Sequence, residues 1–155
     1  MAVRRTIEID GLDSLLRRLD HIDRNLFETD LFAEIGDYLI FKIQDVTATG
    51  KDVEGFNFAP YTPRYRLFRQ EAGHPVDKVN LFFSGSMMSS MTREATESQV
   101  RVFFMNTSDR SGTSNPLKAY ALNKKRRFFA VSVEAQRKII DIIRRRAREI
   151  LDGRA

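Results

Sequence analysis

The chain has 155 residues, of which 42% are apolar and 30% charged, a composition typical of one globular domain rather than a disordered or fibrous chain. It contains no cysteine and 2 histidines, which excludes disulfide scaffolds, thiolate zinc sites, cysteine nucleophiles and multi-histidine metal centres. The net charge of +5 is uneven: residues 118–155 hold 12 Lys and Arg against 4 Asp and Glu, a balance of +8, whereas residues 1–117 hold 14 against 17, a balance of −3. Such a polarised chain can meet DNA, an acidic partner or the acidic face of its own neighbour.

The N-terminal third predicts one strand and two antiparallel helices. Residues 3–9 alternate between apolar and polar side chains, as a half-buried strand does. Two stretches then repeat apolar residues at helical spacing, the second beginning after Thr29 and Asp30. The first stretch carries Leu12, Leu15, Leu16, Leu19, Ile22 and Leu26, and the second carries Leu31, Phe32, Ile35, Leu39, Ile43 and Val46.

The segment at about 47–80 fits neither the helical nor the strand period, and the sequence predicts a long loop there. A loop of this length inside a compact domain is usually functional or becomes ordered on a partner. It concentrates aromatic rings among Pro and Arg, a combination enriched at interfaces, although the same rings could also fold back onto the sheet. The candidate subunit-interface residues are Phe56, Phe58, Tyr61, Tyr65 and Phe68.

The C-terminal half predicts a small antiparallel sheet and a closing helix. Residues 84–91 form a short turn or helix, residues 99–105 a strand, and residues 92–98 the partner strand or its turn. A polar interaction loop follows at about 106–118. Ser132 is the expected N-cap of a helix over Val133–Asp152, with Ile139, Ile140, Ile143, Ala147, Ile150 and Leu151 on its apolar face. The predicted class is α+β, a single domain over 1–155.

The motifs of common enzymes are missing from the sequence. Phe83-Ser-Gly-Ser-Met does not match the Gly-x-Ser-x-Gly nucleophile elbow, and His74 is the one nearby base in the sequence. The Ser-Gly-Ser step is better interpreted as a helix cap than as a nucleophile. His74 and Asp77 favour a surface pair over a ligand set. We therefore predict no enzyme, no catalytic residue, no metal site and no cofactor.

A basic cluster, Lys124, Lys125, Arg126 and Arg127, precedes Phe128 and Phe129. Cations beside aromatic rings suit a nucleic-acid surface, so a monomeric nucleic-acid-binding module is one interpretation. In the alternatives the two rings anchor a strand in the core while the charges face water, or the charges face an acidic neighbour in an assembly. The sequence favours these alternatives and leaves them open.

The order of several short motifs resembles a known family. Phe58-Ala-Pro-Tyr-Thr-Pro-Arg-Tyr65 is followed by Val79-Asn-Leu-Phe-Phe-Ser-Gly-Ser-Met87, then by Tyr120-Ala-Leu-Asn and Arg127-Phe-Phe-Ala-Val-Ser. Over residues 30–152 this set is similar to the tailed-phage virion morphogenesis proteins, which are tail-completion or neck components. The chain departs from the family where Leu122 and Asn123 replace a His after Tyr-Ala, and where Lys124 to Arg126 replace a Pro.

The resemblance implies a structural role without catalysis in the neck of the virion, after assembly in the host cytoplasm. The subunit would form a homo-oligomeric ring, a hexamer in the family, between the head connector or stopper and the tail terminator. DNA would pass through the lumen without sequence reading and without involvement of a membrane. The basic cluster would then contact this DNA or an acidic neighbouring subunit.

Overall fold

The computed structural model describes residues 29–152, so the predicted strand at 3–9 and helix at 12–26 lie outside the described residues. Within the described residues, five helices and two strands follow in chain order. They are α1 (Thr29–Ala48), α2 (Pro63–Glu71), α3 (Ser86–Ser89), β1 (Met91–Ala95), β2 (Val100–Phe104), α4 (Asn115–Lys125) and α5 (Val133–Leu151). The predicted α+β class is confirmed.

Helices α1 and α5 supply half of the buried apolar residues, as their apolar spacing predicts. The buried residues of α1 include the first five of its predicted apolar face, and Val46 is half-buried. In α5 the Ser132 hydroxyl accepts a hydrogen bond from the Ala135 amide at 3.0 Å, which confirms the predicted N-cap. Its buried residues are Ala135, Ile139, Ile142 and Ile143, so the buried face includes Ile142, which the prediction left out.

Strands β1 and β2 form an antiparallel hairpin that packs against α1. Met91 pairs with Phe104 at the open end, and Ala95 pairs with Val100 next to the turn. The predicted strand and its partner are therefore confirmed. On the core side, the Phe104 ring lies 5.0 Å from the Phe129 ring, centroid to centroid. This contact joins the hairpin to the segment that leads into α5.

The two predicted long loops each contain helical residues, which corrects the prediction. Thr62 caps α2 by accepting a hydrogen bond from the Tyr65 amide at 3.4 Å, and Pro63 occupies the first turn. Because the one buried side chain of α2 is Arg69, this helix has no apolar stripe that periodicity could detect. The polar loop is likewise shorter than predicted, since α4 begins at Asn115.

Candidate interaction groove

A large open groove lies between residues 59–85 on one side and α4 with the loop before it on the other. Its volume is about 1440 Å³. Pockets that bind drug-sized molecules typically have volumes of about 300–1,000 Å³, so the volume of this groove exceeds that of a typical small-molecule site. Its dimensions suit a segment of a macromolecule.

One wall of the groove is a row of aromatic rings contributed by α2 and by the segments before and after it. Tyr61 and Tyr65 meet edge to face at 5.3 Å between centroids, and Phe68 stacks on Phe83 at 5.4 Å. The His74 ring closes the row 4.2 Å from Phe83. Phe68 is 52% exposed, and Tyr65 and Phe83 are also exposed. The row therefore presents apolar surface to whatever enters the groove.

A buried arginine holds this wall in place. Arg69 is 1% exposed, and its guanidinium donates through Nε to the Pro75 carbonyl at 3.3 Å and through both terminal nitrogens to the Phe82 carbonyl at 3.1 Å. It also lies 4.9 Å from the centroid of the Tyr61 ring. Sequence reasoning did not identify Arg69, because an arginine in a polar helix carries no signal of burial.

A second link ties the two ends of this wall together. The Tyr61 hydroxyl donates to the Asn80 carbonyl at 2.8 Å and accepts from the Asn80 amide at 2.9 Å. Since both partners of this link also contact Arg69, the segment from 61 to 83 forms one hydrogen-bonded unit. The aromatic row is consequently pre-organised rather than dependent on a partner to order it.

The opposite wall consists of α4 and residues 109–113. Leu117 is 55% exposed and contributes apolar surface. Lys118 Nζ lies 2.5 Å from Asp109 Oδ2, and this contact, together with hydrogen bonds from Ser111, lowers the pKa of Asp109 well below its usual range. Asn115 is fully buried and donates to Thr107 Oγ1 at 2.9 Å, which ties the loop to the start of α4.

The structure divides the five predicted interface aromatics. Tyr61, Tyr65 and Phe68 line the groove together. Phe58 is 7% exposed and belongs to the hydrophobic core, so its prediction as an interface residue is corrected. Phe56 is 71% exposed but lies outside the groove.

The basic cluster is also divided. Lys125 and Arg126 line the groove, and Arg126 crosses to the aromatic wall, where it donates to the Ala59 carbonyl at 3.0 Å. Lys124 instead lies 4.4 Å from the centroid of the Tyr120 ring, and Arg127 lies 3.7 Å from Glu54. The four cations therefore point to different surroundings instead of forming one phosphate-binding surface.

The two phenylalanines after the cluster have a core role. Phe128 is 2% exposed and Phe129 9% exposed. Asn123 Oδ1 accepts hydrogen bonds from both of their amides, each at 2.9 Å. The interpretation in which these rings anchor the segment in the core is thus confirmed, although the segment is not a strand.

The serines that resembled a nucleophile candidate have structural contacts. Ser84 Oγ accepts a hydrogen bond from the Ser86 amide at 3.3 Å, and Ser86 Oγ accepts one from Asn115 Nδ2 at 3.1 Å. Within residues 29–152 no three His, Asp or Glu side chains come together as a metal site would require. In the same part of the chain, no helix combines the length and apolar character needed to cross a bilayer.

Comparison of the chain with protein-family models, with curated proteins and with solved structures found no match.

Proposed function

We propose that the protein is a structural subunit of the phage neck, which assembles as a ring around the DNA channel and joins the head connector to the tail. The observation that carries this proposal is the pre-organised aromatic groove. An exposed row of rings held by a buried Arg69 is the type of surface that protein interfaces use, since rigid aromatic anchors lose little conformational entropy on binding.

The resemblance of the motifs and the position of the groove support the same function. The segments 58–65 and 79–87, which carry much of the resemblance, contribute residues to the aromatic wall, and Tyr120-Ala-Leu-Asn lies in the helix of the opposite wall. The motifs that are typical of the family therefore contribute to both walls of one surface. A shared interaction surface is a physical reason for such motifs to occur together in one chain.

The outer face of α5 adds a second supporting feature. Arg137, Lys138, Arg144 and Arg148 are exposed on it. A ring that places these side chains toward its lumen would attract DNA phosphates through charge alone, without reading bases. The proposed role needs only this weak, sequence-independent attraction.

The experiment is disruption of the gene in its phage or prophage, followed by negative-stain electron microscopy of the lysate. We expect full heads and finished tails that are not joined, with joining restored when the wild-type gene is supplied in trans. Normal infectious particles would contradict the neck role. Tight binding of duplex DNA by the isolated monomer, with a steep dependence on salt, would then favour the nucleic-acid-binding module.

A further inference from the structure

Helix α1 carries an exposed stripe whose chemistry is complementary to the groove. Phe41 is 65% exposed, although it lies in the helix that supplies much of the core. Glu34, Asp37 and Asp45 are exposed on the same side, at positions that place them within one stripe of the helix. We call these four residues the acidic stripe. The stripe therefore combines one exposed apolar ring with carboxylates on either side of it.

The carboxylates of the stripe differ in how they are already engaged. Glu34 contacts Arg145 of α5, and Asp37 accepts from Arg93 Nε at 2.6 Å, which lowers the pKa of Asp37. Asp45, one helical turn after Phe41, contributes to raising the pKa of Lys42, whose ammonium pairs with Glu134, and within residues 29–152 no cation lies at ion-pair distance from Asp45 itself. The stripe therefore offers one apolar ring with one available carboxylate beside it.

The groove has the opposite character. Its exposed rings, Tyr65, Phe68 and Phe83, accompany the cations Arg110, Lys125 and Arg126. Across the described part of the chain, no carboxylate pairs with Arg110 or Lys125. Among the described residues that line the groove, the one acidic residue is Asp109, and Lys118 already neutralises it at 2.5 Å. An entering segment that brings both a ring and a carboxylate would satisfy the rings and the cations together.

We infer that the acidic stripe of one copy docks in the groove of the next, with Phe41 seated against the aromatic row and Asp45 facing Arg110 and Lys125. This inference rests on the proposed function and assigns the surfaces by which the subunit would assemble. The stripe and the groove share no residue, so one chain can use both at once. Contacts of this head-to-tail kind close into rings where the rotation allows.

The test uses two substitutions in the full chain, each in an exposed residue. Phe41→Lys removes the ring and places a cation opposite the basic groove, whereas Phe68→Glu places a carboxylate opposite the acidic stripe. Leu67→Glu is the matched control for the second, because Leu67 is the neighbouring residue of α2 and is 60% exposed but does not line the groove. Circular dichroism verifies that all three variants fold.

Assembly is measured by sedimentation velocity and native mass spectrometry. We expect the wild-type chain and Leu67→Glu to form the same oligomer, and each of the other two variants to associate at least about tenfold more weakly. The decisive sample is an equal mixture of Phe41→Lys and Phe68→Glu. The former keeps an intact groove and the latter an intact stripe, so the mixture should form a 1:1 dimer and stop there.

Three results would overturn the docking. These are a wild-type chain that stays monomeric at about 1 mM, single variants that assemble like wild type, and a mixture that stays monomeric while wild type assembles. The outcome is distinguishable from that of the neck proposal. If both variants assemble like wild type, the docking is wrong but the proposed neck role is unaffected. If the gene disruption still yields joined virions, the neck role is wrong, whatever oligomer forms in solution.

Discussion

Both terminal nitrogens of the Arg69 guanidinium donate to the carbonyl oxygen of Phe82, each at 3.1 Å. Among the described residues no carboxylate takes part in this contact, so the buried charge is stabilised by backbone and side-chain oxygens and by the Tyr61 and Phe83 rings. Removing the guanidinium would leave the Phe82 carbonyl without its donors. The aromatic wall of the groove therefore depends on the buried side chain of Arg69.

Arg69→Met should open the segment from 61 to 83 without unfolding the rest of the chain. Charge-assisted hydrogen bonds contribute about 1.5–3 kcal/mol each, so the free energy of local opening should fall by at least about 2 kcal/mol. Hydrogen exchange of the Asn80 and Phe82 amides measures this. Arg66→Met, in an exposed residue of the same helix, is the control and should leave exchange unchanged. Unchanged protection in Arg69→Met would show that the aromatic row is held by other contacts.

Gly36→Ala should destabilise the fold even though alanine is the better helix former. A Cβ at this position would lie 2.5 Å from Arg93 Cδ and 2.7 Å from Val100 Cγ2, so α1 would be pushed off the hairpin. Overpacking lowers the free energy of unfolding by about 1–3 kcal/mol, and the higher helix propensity of alanine offsets about 1 kcal/mol of this loss. We expect a net loss of up to about 2 kcal/mol in the free energy of unfolding, measured by urea denaturation. Equal or greater stability would mean that the hairpin can move away freely.

Asn123→Ala should cost about 2 kcal/mol of stability, because two buried amides lose their shared acceptor. Asn123→Asp keeps an oxygen at the same position and should retain most of the stability at neutral pH. The comparison of these two variants by thermal denaturation separates the acceptor role from side-chain size. Equal losses in both would contradict the role of Oδ1.

The Asp109–Lys118 pair should make stability depend on acid pH. Since the folded-state pKa of Asp109 is lowered, its stabilising contribution is fully present above the unfolded-state value of about 3.9 and is lost as the pH falls toward the folded value. Asp109→Asn should therefore be less stable than wild type at pH 7, with the difference shrinking below about pH 4. Urea denaturation at several pH values measures this, with Asp77→Asn as the exposed control. A difference that persists unchanged at low pH would contradict the pairing.

Helices α1 and α5, the hairpin and the α+β class could be predicted from the sequence alone. Ile35 and Leu39 of α1, like Ile139 and Ile143 of α5, recur at helical spacing, and each such helix is defined by residues close to one another in the chain. Ser132 likewise caps α5 through a bond that spans three residues. Such patterns can be recognised in a sequence because the interacting residues lie within one or two helical turns of each other.

The groove depends on contacts between residues that are far apart in the chain. Arg126 reaches the Ala59 carbonyl across 67 residues, and Asn115 reaches Ser86 across 29. Arg69 is buried because carbonyls of a later segment surround it, and Phe58 joins the core although its neighbours in the chain are exposed. Because these contacts join distant parts of the chain, no local repeat of apolar residues predicts them. The aromatic composition of the segment predicted an interaction surface, and long-range hydrogen bonds selected which of its rings face outward.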